Sequence, residues 1–203
     1  MHRAAALLAP TLVTASLGLL LGAGCVRDAE DARCPTLGAD DLVITEIAGP
    51  QTGNDLPPWI EVYNASGGSV DLQGLRLRFR RVDGSGESAA IVRRSLRVEA
   101  GSYTTLGLDA DTDVDRDPYL DYGFAADYQA SWLTTAAVQL EACDTLVDDA
   151  RYTSLPRTGS LSLGTMPPTA DANDLPASWC TDPQIVVGTA IPGTPQRANA
   201  ACP

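Results

Sequence analysis

The residues of this 203-residue chain that could do chemistry are almost all carboxylates and arginines. Its one histidine is His2, and all 14 basic residues are arginine. Beyond residue 2 the chain therefore offers no imidazole base, no Ser–His or Cys–His nucleophile pair and no Schiff-base lysine. Catalysis by two facing Asp or Glu residues, as in glycoside hydrolysis, is the chemistry that remains, but no acidic residue lies in a recognisable catalytic motif. The composition favours a protein without enzymatic activity.

Alternating aspartates form the first candidate site. They are Asp109, Asp111, Asp113, Asp115 and Asp117, followed by Asp121. Carboxylate oxygens are ligands that calcium prefers, and a weak extracellular-type site would bind it with an affinity on the order of 0.1–1 mM. The segment is not an EF-hand loop, because the sixth and twelfth positions hold Val114 and Leu120 instead of Gly and Glu. The alternative interpretation is a solvated acidic loop that binds no metal.

Clustered arginines form the second candidate site. Seven of them lie between residues 76 and 97: Arg76, Arg78, Arg80, Arg81, Arg93, Arg94 and Arg97. Arginine binds carboxylate and phosphate through two parallel hydrogen bonds, so this stripe could bind an anionic polysaccharide or an acidic envelope protein. The predicted binding residues are Arg76, Arg78, Arg80 and Arg93. The alternative is structural, since outward charges prevent sheets from pairing edge to edge and the aspartates could neutralise the stripe internally.

Aromatic residues form a third group. Trp59, Trp132 and Trp179, with Tyr103, Tyr119, Tyr122 and Tyr128, could form a sugar-stacking platform. A β-sandwich of this size, however, needs several of its few aromatic side chains in its core. We expect Trp59, which lies between Pro58 and a predicted strand, to be packed inside.

The first 25 residues have the pattern of an export signal. Arg3 supplies a positive charge, residues 4–21 are almost wholly apolar, and Gly22-Ala23-Gly24 leads into Cys25. This predicts a secretory signal peptide over residues 1–24. The small residues before Cys25 resemble the lipobox of bacterial lipoproteins, in which the cysteine sulfur is acylated, although Gly22 stands where that family usually has leucine. The alternatives are an ordinary signal peptide cleaved near Gly24 and an uncleaved apolar anchor.

The lipoprotein resemblance implies a location and a partner. Residues 25–41 would be a tether that attaches the protein to a membrane through lipid on Cys25. Val26 is not the aspartate that marks inner-membrane retention in enteric lipoproteins, so we expect the outer membrane of a bacterial cell envelope. Without residues 1–24 the chain has 13 arginines against 26 acidic residues, a net charge of −13. That charge repels nucleic acid, and we predict no nucleic-acid partner.

The cysteine count agrees with export. The five cysteines are Cys25, Cys34, Cys143, Cys180 and Cys202. If Cys25 carries lipid, the other four can form two disulfides, as is typical of an oxidising compartment. None of them has the short spacing of zinc sites. Four cysteines allow three pairings. We predict Cys34–Cys202, because the ends of a domain often lie close together, and Cys143–Cys180.

Hydrophobic alternation predicts an all-β fold. Leu75, Leu77 and Phe79 alternate with the arginines of the same segment, which is typical of a strand with one face on a core. Further strands are predicted at residues 89–94, 103–108, 138–142, 145–152 and 160–163. The sequence contains no convincing amphipathic helix and no internal repeat. About 160 residues can bury a single core.

The order of these segments resembles a lamin tail domain. The matching motifs are Ile44–Ile47, Trp59–Asn64 and Val70–Gly74, and the segments around Asn173, Ser178–Cys180, Gly193–Pro195 and Ala198-Asn199 resemble the end of exported bacterial members. The resemblance implies an immunoglobulin-like β-sandwich over residues 42–165 and a disulfide-strapped Pro/Thr-rich extension over residues 166–203. It also places Glu46 and Glu61 at structural positions, where we expect hydrogen-bonding groups.

These observations predict a membrane-anchored, non-enzymatic binding or structural module outside the cytoplasm. Lamin tail domains share a scaffold and not a chemistry, so the resemblance names no ligand. One alternative is a calcium-dependent surface adhesin or a polysaccharide-binding lipoprotein. Another is a carboxylate-based hydrolase of the envelope. We expect no cofactor, apart from weakly bound calcium if the aspartates form a site.

Overall fold

The computed structural model of the protein describes residues 33–112, 114, 116–185 and 190–203. Within this part, nearly all regular secondary structure is β-strand, arranged as two large sheets that enclose the main hydrophobic core, with one small two-stranded sheet beside them. The predicted all-β sandwich is therefore confirmed. No helix among the described residues is long and apolar enough to cross a membrane. The predicted signal peptide and Cys25 lie outside the described residues.

The main sheet has six strands in the spatial order β12-β11-β1-β2-β7-β8. Their bounds are β1 Leu42–Ala48, β2 Trp59–Asn64, β7 Tyr103–Gly107, β8 Tyr122–Gly123, β11 Ser160–Leu163 and β12 Trp179–Asp182. Neighbouring strands are antiparallel, except that β7 and β8 are parallel. The last strand, β12, comes from the C-terminal extension, which thus supplies one edge of the main sheet.

The second sheet has four antiparallel strands in the order β10-β9-β4-β5. Their bounds are β4 Arg76–Arg80, β5 Ser88–Ile91, β9 Ala136–Ala142 and β10 Thr145–Tyr152. A small separate pair is formed by β3 Val70–Asp71 and β6 Arg97–Val98. The extension adds one helical turn, α1 Ala170–Asn173, and a 3₁₀ turn at Pro176–Ser178.

The core forms where the inward faces of the two sheets meet. Leu75, Leu77 and Phe79 are buried as the alternation predicts, and they share a cluster with Ile44 and Ile60 of the main sheet. Burying side chains of this size contributes roughly 1.5–3 kcal/mol each. Strand β4 is therefore held in register by its apolar face, and its arginines occupy the opposite face.

Strand β1 is unusual because every one of its seven residues is buried. A strand whose outer face is also covered needs a third layer over the sheet. Here the C-terminal segment 193–199 provides part of that cover, with Thr194 and Asn199 buried against the sheet. Segment 193–199 is thus a structural layer of the domain.

The predicted disulfide pairing is wrong, although all four cysteines are paired. The bridges are Cys34–Cys143 and Cys180–Cys202. Cys180 lies on β12 at the edge of the main sheet, whereas Cys143 lies in the turn between β9 and β10 of the second sheet. Facing sheets are about 10 Å apart, and a disulfide needs Cα atoms within roughly 7 Å. This spacing disfavours a Cys143–Cys180 bridge. Cys180 is instead bonded to Cys202, so that both ends of this bridge lie within the C-terminal extension.

The Cys34–Cys143 disulfide marks one end of the sandwich, which we call the tether end. Strand β9 runs from Ala136 to Ala142 just before Cys143, so its other end is about 20 Å away at a rise of about 3.3 Å per residue. The loops 49–53, 81–87 and 131–135 adjoin that opposite end, which we call the far end.

Removing Cys34–Cys143 is expected to destabilise the protein more than removing Cys180–Cys202. The first bridge spans 109 residues of sequence and the second 22. Loop-closure entropy then predicts losses of roughly 5 and roughly 3 kcal/mol. Urea unfolding of the paired Cys→Ser variants measures both. An equal or larger loss for the Cys180–Cys202 variant would contradict this prediction.

Candidate functional site

The most chemically distinctive group in the structure is a pair of buried carboxyls. The register of β1 and β2 places Glu46 directly opposite Glu61, with a bulge between Ile44 and Glu46. Both glutamates are fully buried on the outer face of the main sheet, beneath the C-terminal segment. Because a buried charge is costly unless it is hydrogen-bonded, their partners determine whether this layer is stable.

Glu46 is surrounded by donors from two other parts of the chain. Its Oε1 accepts hydrogen bonds from the hydroxyls of Ser160 and Ser162 on the neighbouring strand β11. It also accepts the Thr194 backbone N–H at 3.1 Å, while the Thr194 hydroxyl lies 3.2 Å from Oε2. A Cβ at Gly193 would overlap Oε1, so glycine permits this close approach of the backbone.

Glu61 makes the second connection to the C-terminal segment. Its Oε1 accepts a hydrogen bond from the Thr45 hydroxyl at 2.9 Å, and its Oε2 accepts the Gln196 backbone N–H at 2.7 Å. Asn199 completes the layer, since its Nδ2 donates to the carbonyls of Thr45 and Leu163. The interpretation of both glutamates as hydrogen-bonding groups is confirmed.

Burial alters the acidity of both groups. Loss of solvation raises the pKa of Glu46 to about 7, against the lowering effect of its hydrogen bonds. Loss of solvation, together with the nearby charge of Glu46, raises the pKa of Glu61 well above its ordinary value. The pair therefore retains protons at a pH where solvated carboxyls are ionised.

Raised pKa values often mark catalytic acids, but this pair lacks the access that a catalyst needs. Both side chains are fully buried, and their oxygens are occupied by protein donors. The arrangement can hold the C-terminal segment on the sheet, and we interpret it as a structural clasp. The term "clasp" below means Glu46, Glu61 and their donors.

A further buried carboxyl, Asp148, was missed by sequence analysis. Its Oδ2 accepts the Ile44 backbone N–H and the Asn173 side-chain amide, both at 2.7 Å, linking β10, β1 and α1. Burial raises its pKa to about 7. Counting back in steps of two from the inward Tyr152 and Ala150 would have placed Asp148 on the inward face.

The structure divides the predicted arginine stripe into separate contacts. Arg76, Arg78 and Arg80 share the outward face of β4, and Arg78 bridges Glu141 and Glu87. Arg76 and Arg80 form no ion pair with the other described residues.

Arg93 lies beyond the end of β5. There its guanidinium binds both carboxylate oxygens of Asp127, with the closest contact at 2.6 Å. A ligand role for the stripe stays a prediction.

The alternating aspartates also have protein partners. Asp111 binds Arg94 through two hydrogen bonds and Arg116 through one. Asp109 accepts the backbone N–H groups of Ala110 and Asp117. Thus the aspartates neutralise part of the arginine stripe within the molecule.

No group of three potential metal ligands occurs among the described residues. Asp113 and Asp115 lie outside that part of the chain, so the calcium site stays a prediction.

The aromatic side chains pack mainly inside. Trp59 is buried as expected, and Tyr119, Tyr122, Tyr128 and Trp132 are buried too. Phe79 contacts Tyr128 and Trp132 with ring centroids 5.1 and 5.3 Å apart. These rings are core residues and do not form an exposed stacking platform.

Comparison with known proteins identifies no family. No family model matches the chain, and no curated protein matches it. Since a fold supports many functions, the function must be argued from the contacts of this chain itself.

The clasp predicts an unusual pH dependence of stability. A carboxyl whose folded-state pKa is raised stabilises the fold fully below its unfolded pKa, and this contribution is lost as pH rises through the folded value. For Glu46, the rise from 4.5 to about 7 corresponds to roughly 3 kcal/mol. The free energy of unfolding should therefore fall between about pH 4.5 and pH 7, with Glu61 and Asp148 contributing in the same direction.

Glu46→Gln tests the origin of that fall. A glutamine can accept from the serines and donate to the Thr194 hydroxyl, which itself donates to Asn199. We expect this variant to show a smaller decline in stability and to exceed the wild type at pH 8, by urea unfolding. Glu99→Gln, on an exposed residue, is the matched control and should keep the wild-type profile. Identical profiles for Glu46→Gln and wild type would contradict the assignment.

Proposed function

We propose that this protein is a membrane-anchored, non-enzymatic module of the bacterial cell envelope. It would hold a rigid β-sandwich close to a membrane, without catalysing a reaction, and expose the far end for binding. The observation that carries the proposal is the Cys34–Cys143 disulfide. It fixes the first described residues to the turn between β9 and β10, so a lipid on Cys25 would hold the tether end nearest the membrane.

The length of the tether supports this orientation. Eight residues, 26–33, separate Cys25 from Cys34 and can span at most about 28 Å. Both disulfides use the four described cysteines, which leaves Cys25 as the fifth and unmatched cysteine of the sequence. Lipidation would account for it, and more than one acyl chain would make the attachment stable.

The contacts of the reactive groups support a non-enzymatic role. The carboxyls with the largest rise in pKa, Glu46, Glu61 and Asp148, are buried and bonded to protein donors. They stabilise the fold and do not line an open cleft. This is why we favour a binding or structural module over a carboxylate-based hydrolase.

The lamin-tail resemblance belongs to the same proposal. Its first two motifs form the paired strands β1 and β2, and the third begins with β3. The two acidic residues of those motifs, Glu46 and Glu61, form the clasp. These features support a lamin-tail-type domain in an exported protein, with an outer-membrane location as the more specific expectation.

Replacing Cys25 by Ser should release the protein from the membrane. Without an acyl acceptor the chain has no lipid anchor, so fractionation should move it from the membrane pellet to the soluble fraction. Mass spectrometry of the wild-type N-terminal peptide should show acyl chains on Cys25.

The paired variant Cys34→Ser/Cys143→Ser is the control for loss of cysteine itself, and it should remain in the membrane fraction. If the Cys25→Ser protein stays membrane-bound with its leader uncleaved, the leader is a transmembrane anchor and the lipoprotein proposal is wrong.

A further inference from the structure

Two open grooves lie side by side at the far end of the sandwich. One is lined by residues 81–83 and 132–135 and has a volume of about 440 Å³. The other is lined by residues 50–52, 134–135 and 153–157 and has a volume of about 430 Å³. Thr134 and Thr135 line both. We call the two together the far-end groove.

Side-chain hydroxyls are concentrated in this groove. Five exposed residues supply them: Thr52, Thr134, Thr135, Thr153 and Ser154. A hydroxyl both donates and accepts hydrogen bonds, so a row of them matches the hydroxyls of a sugar chain. The lining is therefore suited to a polar, hydroxyl-rich ligand.

Two arginines, Arg81 and Arg157, lie in the separate halves of the groove. Both are exposed, and neither forms an ion pair within the described part of the chain. Arg78, Arg93 and Arg94 differ, because each is bound to a carboxylate. The far-end groove thus holds guanidinium groups that remain available for an anionic ligand.

One carboxylate, Asp83, also lines the groove. Its Oδ1 is occupied by the backbone N–H and the hydroxyl of Ser85, at 2.9 and 2.7 Å. These hydrogen bonds hold it in the hairpin turn. Asp83 remains ionised and is attracted electrostatically to Arg81, so Arg81, Arg157 and Asp83 together give the groove a net charge of +1.

The groove is held together by hydrogen bonds between its loops. The Gln51 amide donates to the carbonyls of Gly49 and Gly159, and the Thr52 N–H donates to the Arg157 carbonyl at 2.8 Å. The Thr135 hydroxyl donates to the Thr153 carbonyl, at 2.7 Å. A site ordered before binding loses less entropy when a ligand arrives.

We propose that the far-end groove binds an acidic polysaccharide. Uronic-acid carboxylates would pair with Arg81 and Arg157, and sugar hydroxyls would bond to the threonine hydroxyls between them. Bidentate Arg–carboxylate pairing supplies the selectivity for acidic sugars. Although the chain without residues 1–24 has a net charge of −13, that repulsion is screened beyond about 8 Å at physiological salt. This inference rests on the proposed function, which turns the groove away from the membrane.

Calorimetric titration of the full chain in mild detergent tests the site. The probe is a short oligogalacturonide, and its methyl-esterified form is the uncharged control ligand. The wild type should bind the acid form and bind the ester at least tenfold more weakly. Arg81→Ala and Arg157→Ala should each weaken binding of the acid form about tenfold, as expected for the loss of one charge-assisted contact.

Arg33→Ala, which removes the same charge from an exposed position beside Cys34 at the tether end, is the matched control and should bind like wild type. Urea unfolding verifies that the variants are folded. No binding by wild type, equal binding of acid and ester, or unchanged binding by both groove variants would overturn the inference. None of these outcomes affects whether the Cys25→Ser protein is released from the membrane. Failure of ligand binding by the groove can therefore be distinguished from failure of the proposed function.

Discussion

Two carboxyl groups that face each other across β1 and β2 determine how the main sheet is covered. Glu46 and Glu61 lie on a sheet face that is closed to water, so each must find donors in the protein or remain protonated. The donors come from Thr45 of β1, from β11 and from residues 194–196. In a simple two-layer sandwich this outer face would be exposed to solvent. Here the C-terminal segment must cover it, because the segment supplies donors that the two buried carboxyls need.

This constraint explains the course of the extension. Strand β12 adds to the edge of the main sheet beside β11, and residues 193–199 then return across its outer face. The Cys180–Cys202 disulfide joins the edge strand to the end of this segment. A disulfide and a set of buried hydrogen bonds thus independently fix this segment, although its composition is typical of a flexible tail.

The sequence predicted the features that depend on local patterns. Strand β10 spans residues 145–152 as expected, and alternation placed Leu77 and Phe79 in the core, because side-chain direction in a strand has a period of two. The predicted cysteine pairing failed because it depends on which sheet each cysteine joins. Asp148 was missed, although the period of two places it on the face of Ala150 and Tyr152, because its partners Ile44 and Asn173 lie 104 and 25 residues away.

The candidate sites show the same division between local and long-range information. The arginine and aspartate clusters are evident in the sequence, but their partners are not, since Arg93 binds Asp127 at a separation of 34 residues. The partners of Glu46 lie 114 to 148 residues away. The far-end groove is still harder to predict, because it is assembled from loops that meet only after the sheets have formed.

Carbon-13 NMR titration of the Glu46 and Glu61 carboxyl carbons tests the clasp most directly. Specific labelling of glutamate, with Glu46→Gln and Glu61→Gln used for assignment, would follow each group between pH 3 and pH 9. We predict that both titrate well above the ordinary value of about 4.3, with Glu46 near 7. Titration of both groups near 4.3 would show that they are solvated and would contradict a buried clasp.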